Sequence, residues 1–388
     1  MRVGSGRTGC REPAGGLTEA APALRRAWTA VAAFAAVRAL GLLALALWSR
    51  IAGKDAHALL SARWDSLWYV RVADFGYDFT LTAPDGRVLS DLAFFPLLPW
   101  LEKGVAAVSP LGPADAGLLV SAVAGLAAAW GIYLTGHHLH GHRVGLLLVT
   151  LWAAVPVGIV QSMAYSEALF VALSAWALYA VLRHRWVEAG LLASLAGLTR
   201  PVGLAVAAAL WAAAAVEARR TRQIDARMVA GAVLAPLGAA GYVLWVGLRR
   251  GGPLGYLDVQ ATWGNGFDGG LAYGEFIVEH LGGWPVVLAG LGLIAGTALA
   301  LGAYAVCVRQ RQPVALLVYT GIVLVLALCS SGYFGSKPRL LLPAFPLLLP
   351  VAVALARVRT ARSVGVLAVL ALGSAVYGAS WLNGSGPP

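Results

Sequence analysis

The chain has 388 residues, of which 59% are apolar and only 12% charged. That balance excludes a water-soluble globular protein and leaves no segment over for a soluble domain of any size. The net charge of +11 could suit nucleic acid, but the Lys and Arg residues are scattered through short inter-helix loops, so they read as a membrane-orientation signal.

In chain order, residues 1–26 are rich in Gly, Arg and Pro without an apolar run and are expected to form a disordered cytoplasmic tail. Residues 27–388 are expected to form a single transmembrane domain. The expected fold class is all-α and polytopic, with about eleven transmembrane helices. The apolar stretches lie at 27–49, 114–136, 143–161, 163–182, 187–199, 201–217, 228–248, 284–307, 313–330, 340–356 and 361–381. The stretch 92–109 is interrupted by two prolines and by Glu102 and Lys103, and is placed along the membrane interface. With the N-terminus inside, every basic cluster except Arg249/Arg250 falls on the cytoplasmic side. The same topology puts Asp55, Asp65, Asp74, Asp78, Asp85 and Asp91 in one outer loop, 50–91. A second outer loop spans 249–283. Loops of this length are usually functional or disordered, and their Trp, Tyr, Phe and Asp content predicts short amphipathic helices against the membrane.

The first outer loop contains Arg63-Trp64-Asp65-Ser66-Leu67-Trp68-Tyr69. Trp and Tyr favour the headgroup zone, and a carboxylate wedged between aromatics has its pKa raised by desolvation. Asp65 is therefore a candidate general base; a solvated Asp within an aromatic belt is the equal alternative. Asp91, ahead of Phe94-Phe95-Pro96, is a second candidate, with a helix N-cap as the alternative. Tyr165-Ser166-Glu167 opens a helix on the outer side, and Thr199-Arg200-Pro201 sits at another outer junction. A charge at mid-membrane costs roughly 2.5–3.5 kcal/mol, so Glu167 and Arg200 are expected to pair, as part of a site or as a brace between helices. Lys337 and Arg339 flank a helix start whose free N–H groups favour anions, which suits a phosphate or a lipid headgroup. The polar and aromatic stretch 260–270, starting at Gln260, indicates a tight turn.

Other features carry less. His137, His138, His140 and His142 could offer metal ligands, but they lie in an inside loop away from the carboxylates. Arg38, within the first span, either pairs with a buried acid or snorkels to the headgroups. Gly292 and Gly296 match a small-residue helix-packing spacing. Cys10, Cys307 and Cys329 show no metal or disulfide spacing, and no Walker, Rossmann or zinc-hydrolase pattern is present.

Five motifs taken together resemble the membrane mannosyltransferases related to the second GPI mannosyltransferase, phosphatidylinositol-glycan class V. They are Trp64-Asp65 with Trp68-Tyr69, Phe94-Phe95-Pro96-Leu97-Leu98-Pro99, Ala164-Tyr165-Ser166-Glu167-Ala168-Leu169-Phe170, Ala196-Gly197-Leu198-Thr199-Arg200-Pro201 and Lys337-Pro338-Arg339. The Ala- and Arg-rich composition points to a bacterial plasma membrane, and the resemblance implies a multi-pass GT-C-type glycosyltransferase with an extracytoplasmic site. Its donor would be polyprenyl-phosphate mannose and its acceptor a lipid-linked or envelope glycan, with membrane lipids and no nucleic acid as other partners. It also implies an inverting transfer with Asp65 as the catalytic base. Trp64, Tyr69, Asp91, Tyr165, Glu167, Arg200, Gln260, Lys337 and Arg339 would then bind substrate. No metal site is assigned, although a divalent cation could assist departure of the phosphate. A lipid transporter or flippase, or a non-catalytic subunit of a glycan assembly complex, is the competing class.

Overall fold

The computed structural model describes residues 20–284, 286–384 and 386, and is almost entirely helical. Most of the expected tail lies outside the described residues. The part that is described, from Ala20, already belongs to the first helix, Ala20–Ile51. Six helices are each long and apolar enough to cross a membrane: Arg25–Ile51, Pro113–His140, Pro201–Thr221, Ala226–Arg250, Val287–Arg309 and Thr360–Asn383. Two helix pairs pass the same test but are sharply bent, His142–Ala153 with Pro156–Ser162 by 86° and Phe334–Leu340 with Phe345–Arg357 by 73°. Three shorter apolar helices, Ser166–Leu182, Trp186–Gly197 and Val314–Cys329, complete the segments expected from the sequence.

The bends have local causes. Pro156 and Pro343 lack a backbone donor and disfavour helical geometry in the residue before them, so carbonyls near each break lose their intrahelical partner. In lipid these groups must be satisfied by protein. Buried Arg38 donates to the carbonyls of Ala153 and Gly158, and Gln161 donates to the Trp152 carbonyl at 2.9 Å. The Trp152 indole reaches the Leu342 carbonyl at 3.1 Å and so ties one broken segment to the other. Arg38 thus neither pairs with an acid nor snorkels; it braces a helix break.

Close helix packing uses small residues, as expected where lipid removes the hydrophobic drive between helices. The clearest case is Gly190 against Gly231, where a Cβ on Gly190 would lie 2.4 Å from the Gly231 carbonyl oxygen. Gly292 and Gly296 do not serve this purpose. Nothing lies within 4 Å of a Cβ at either position, because the Val287–Arg309 helix presents most of its surface outward.

Residues 50–91, the expected first outer loop, hold two short helices, Ala56–Ser61 and Asp65–Phe75, followed by an antiparallel hairpin, Thr80–Thr82 with Val88–Ser90. The hairpin was not among the expected elements. Its Asp85-Gly86 turn is a readable signal: Gly86 takes φ +84°, and the Asp85 carboxylate accepts the Arg87 N–H at 3.1 Å. The second outer loop contains Gly255–Thr262 and Leu271–Glu279. Stretch 92–109 forms the helix Leu97–Val108, whose twelve residues extend about 18 Å, too short to cross a bilayer.

Candidate active site

Four charged side chains from four separate parts of the chain converge at helix ends. Asp65 occupies the first turn of Asp65–Phe75 and Glu167 the first turn of Ser166–Leu182. Arg200 lies in the extended link between Trp186–Gly197 and the turn at Pro201–Gly203, and Arg339 in the single turn Lys337–Leu340. One Glu167 oxygen, Oε1, accepts from Arg200 Nη1 and from Arg339 Nε. A second nitrogen of the Arg339 guanidinium, Nη2, donates to Asp65 Oδ2. The Glu167–Arg200 pair expected from the sequence therefore forms, as one half of a larger arrangement.

Burial is graded across the cluster. The Glu167 side chain is 0% exposed and that of Arg339 7%, whereas Asp65 is 28% exposed. Two carboxylates and two guanidinium groups balance, which an apolar bundle requires, and removing one member of such a buried set typically costs about 3–5 kcal/mol. Glu167 is the anchor and Asp65 the member that meets solvent. Glu167 Oε2 and the Tyr165 hydroxyl are both buried without a hydrogen-bond partner.

Aromatic residues fix the surroundings. The Arg339 guanidinium lies 4.5 Å from the Tyr165 ring centre. The hydroxyls of Tyr69 and Ser166 are 2.9 Å apart, which joins the Asp65 helix to the Glu167 helix; burial raises the Tyr69 phenol pKa. Trp64, directly before Asp65, has φ +51° and ψ −119°, a conformation that costs of order 1–3 kcal/mol for a side chain of this size. The Arg63 guanidinium, 3.9 Å from the Trp64 ring centre, donates to the Leu382 carbonyl at 2.8 Å. It thereby pins the strained turn to the C-terminal helix. Arg63 drew no attention in the sequence because its partners are backbone groups 319 residues away.

Three of the expected binding residues are occupied elsewhere. Asp91 is fully buried and accepts the backbone N–H groups of Asp78 and Phe79, at 3.1 and 2.9 Å through Oδ2. Burial raises its pKa and these bonds oppose the rise. It fastens the base of the hairpin, and the N-cap there is Ser90, not Asp91. Gln260 donates to the Ala93 carbonyl at 3.3 Å and to the Tyr256 hydroxyl at 2.8 Å, and accepts from Asn265, so it holds the second outer loop onto the first. Lys337 points away from Arg339: its ammonium donates to the Ser330 carbonyl beneath the rings of Tyr273 and Phe334.

One carboxyl near the cluster was read in the sequence only as an interruption. Glu102, on the Leu97–Val108 helix, is 0% exposed, and neither of its oxygens has a partner. Burial, and secondarily the charge of Asp74, pushes its pKa up to about 9. It fits against Gly117, where a Cβ would lie 2.5 Å from Oε1, and Gly117 in turn abuts Ala164, next to Tyr165. Lys103, its neighbour, is exposed, so the two charges of this pair face opposite ways.

A divalent cation does not fit this donor set. Among the described residues no group of three His, Cys, Asp or Glu side chains is placed to hold a metal ion, and both cluster carboxylates are already matched by guanidinium groups.

Two solved structures of ArnT from Cupriavidus metallidurans share this helical arrangement. The apo form gives a TM-score of 0.54 at 17% identity, covering 87% of this chain and 62% of that one. The form bound to undecaprenyl phosphate gives 0.53 at 16% identity, covering 84% and 61%. The fold is of GT-C type. The chain spans about three fifths of the ArnT chain. An apo oligosaccharyltransferase from Archaeoglobus fulgidus is more distant, with a TM-score of 0.48 at 15% identity over 90% of this chain and 56% of that one. Residues 94–245 match the family described as dolichyl-phosphate-mannose-protein mannosyltransferase. That stretch is less than half of the chain; it includes Glu102, Tyr165, Glu167 and Arg200 and omits Asp65 and Arg339. No curated protein matches the chain.

Proposed function

We propose that this chain is a polyprenyl-phosphate-sugar-dependent glycosyltransferase, working on the extracytoplasmic side of a bacterial plasma membrane with Asp65 as general base. The observation that carries the reading is the partly exposed carboxylate of Asp65 held by Nη2 of a guanidinium whose Nε is anchored to buried Glu167. The GT-C fold, the partial match to dolichyl-phosphate-mannose-protein mannosyltransferases and the undecaprenyl phosphate bound by ArnT support the same direction. The finer reading takes mannose as the sugar and a lipid-linked or envelope glycan as the acceptor.

In the resting site the Asp65 carboxylate is engaged by the Arg339 guanidinium. The donor's phosphate competes with Asp65 for Arg339 Nη2, while Glu167 keeps hold of Nε. Asp65, released from its cation, accepts the proton of the acceptor hydroxyl as that oxygen attacks the anomeric carbon. The bond between anomeric carbon and phosphate oxygen breaks, and Arg339, with Arg200 behind Glu167, stabilises the phosphate that leaves. Substitution from the side opposite the phosphate inverts the anomeric centre. Glu167 acts as the fixed counter-charge that keeps two cations at the site.

The reading is tested by reconstituting the purified chain in vesicles with polyprenyl-phosphate mannose and following release of polyprenyl phosphate. Release that rises with added glycan acceptor is expected. Movement of intact donor across the bilayer without release would identify a carrier instead.

A further inference from the structure

Arg250 is an anomaly twice over. It belongs to a basic pair that the expected topology places on the outer side, against the rule that Lys and Arg collect inside. Its neighbour Arg249 has a clear occupation: it pairs with Asp78 at 2.9 Å and lies 4.8 Å from the Trp245 ring centre. Arg250 has no hydrogen-bond or ion-pair partner among the described residues. Asp78 is taken by Arg249 and Asp85 by Arg87, and Asp258 on the Gly255–Thr262 helix forms no ion pair with Arg250 among the described residues.

Arg250 instead lines a small polar cavity of about 130 Å³ with Thr80, Val88, Ser90, Val259 and Thr262. Its walls come from the first-loop hairpin, from the end of the Leu237–Arg250 helix and from Gly255–Thr262. The stem of Arg250 is seated on Gly255, where a Cβ would lie 2.5 Å from the Arg250 Cβ, so the glycine makes room for this placement. Thr262 Oγ1 donates its proton to the Asp258 carbonyl at 2.9 Å, so it lines the cavity without offering a donor. Ser90 Oγ accepts the Leu92 N–H at 3.3 Å, which leaves its hydroxyl proton uncommitted. The base of the cavity is firm, because the Trp263 indole donates to the Ser90 carbonyl at 3.0 Å and stacks edge-on with Trp68, one helical turn from Asp65.

A guanidinium without an ion-pair partner, together with the uncommitted hydroxyl proton of Ser90 in a cavity of this size, suits an oxyanion such as a phosphate ester or a carboxylate. We propose that this cavity is an anion subsite and that it holds a phosphate or carboxylate group carried by the acceptor. The assignment to an acceptor rests on the glycosyltransferase reading above; the anion subsite itself does not. It implies an anionic acceptor that reaches from the hairpin to Asp65, guided along the aromatic ridge of Trp263 and Trp68. A bilayer phospholipid headgroup has the same chemistry and is the alternative source of the anion.

The test is equilibrium dialysis of radiolabelled inorganic phosphate against the full chain in phosphatidylcholine nanodiscs, with Arg250→Gln, Arg250→Lys and, outside the cavity, Arg249→Gln. Arg250→Gln is expected to weaken phosphate binding about tenfold or more, as loss of a charge-assisted bond implies. Arg250→Lys should retain part of the affinity and Arg249→Gln most of it. Absence of binding, or equal binding by wild type and Arg250→Gln, would overturn the subsite. A second arm repeats the measurement in nanodiscs containing phosphatidylglycerol. Unchanged phosphate binding supports the acceptor, and competition by the lipid would assign the cavity to a headgroup and overturn the acceptor role. None of these readouts depends on glycosyl transfer, so failure here is distinguishable from failure of the release assay.

Discussion

Asp65 and Asp91 sit in the same inter-helix segment, residues 50–91, among similar aromatic neighbours, yet their surroundings differ in kind. Asp91 is fully buried and spends its carboxylate on two backbone N–H groups at the foot of the hairpin. Asp65 keeps an exposed edge and a mobile type of partner, a guanidinium delivered from 274 residues away. A carboxylate bonded to backbone is fixed by the fold, whereas one bonded to a side-chain cation can exchange that cation for a ligand. The difference separates scaffold from chemistry more sharply than residue type or aromatic context does.

The strongest way to break this comparison is to neutralise Asp65. Asp65→Asn preserves shape and loses basicity, and is expected to lower the transfer rate per folded molecule by roughly 10²–10⁴-fold; near-normal turnover in vesicles would remove Asp65 from the role. Glu167→Gln should act on the anchor instead. With two guanidinium groups left over one neutral amide, stability is expected to fall by about 3–5 kcal/mol, read as a large drop in thermal midpoint in detergent. A variant as stable as wild type would mean that Glu167 is not the counter-charge. Asp91→Ala sharpens the other side of the comparison. It strands two backbone N–H groups, so a loss of about 1–3 kcal/mol is expected, with turnover per folded molecule unchanged. Loss of turnover without loss of stability would return Asp91 to the substrate.

The smallest effect concerns Glu102. Its folded-state pKa is about 9 against an ordinary 4.5, so between these values the folded chain binds the more protons and stability falls as pH rises. Glu102→Gln should flatten that slope in thermal melts taken between these two limits. An unchanged slope would show that Glu102 is not the titrating group.

Much of this was legible in the sequence. The apolar periods locate the helices, and Trp64-Asp65, Tyr165-Ser166-Glu167, Thr199-Arg200 and Lys337-Pro338-Arg339 locate the cluster, because a charge next to an apolar span needs a partner and the motifs supply both signs. What remained hidden depends on direction and on backbone. Asp91 and Gln260 look like ligand-binding residues until their backbone partners are seen. Lys337 and Arg339, two residues apart, point to different surroundings. Arg38 meets carbonyls freed by a helix break, which no residue spacing announces. Glu102 turns inward while Lys103 turns out, so a pair that reads as a surface interruption conceals a buried acid.

The central claim is that a lipid-linked phosphate and Asp65 compete for one edge of Arg339. It is tested most directly by measuring the affinity of polyprenyl phosphate for wild type, Asp65→Asn and Arg339→Ala in nanodiscs. Removing the competing charge should make Asp65→Asn bind more tightly than wild type although it no longer transfers sugar, and Arg339→Ala should bind more weakly. Weaker binding by Asp65→Asn, or unchanged binding by Arg339→Ala, would contradict the account.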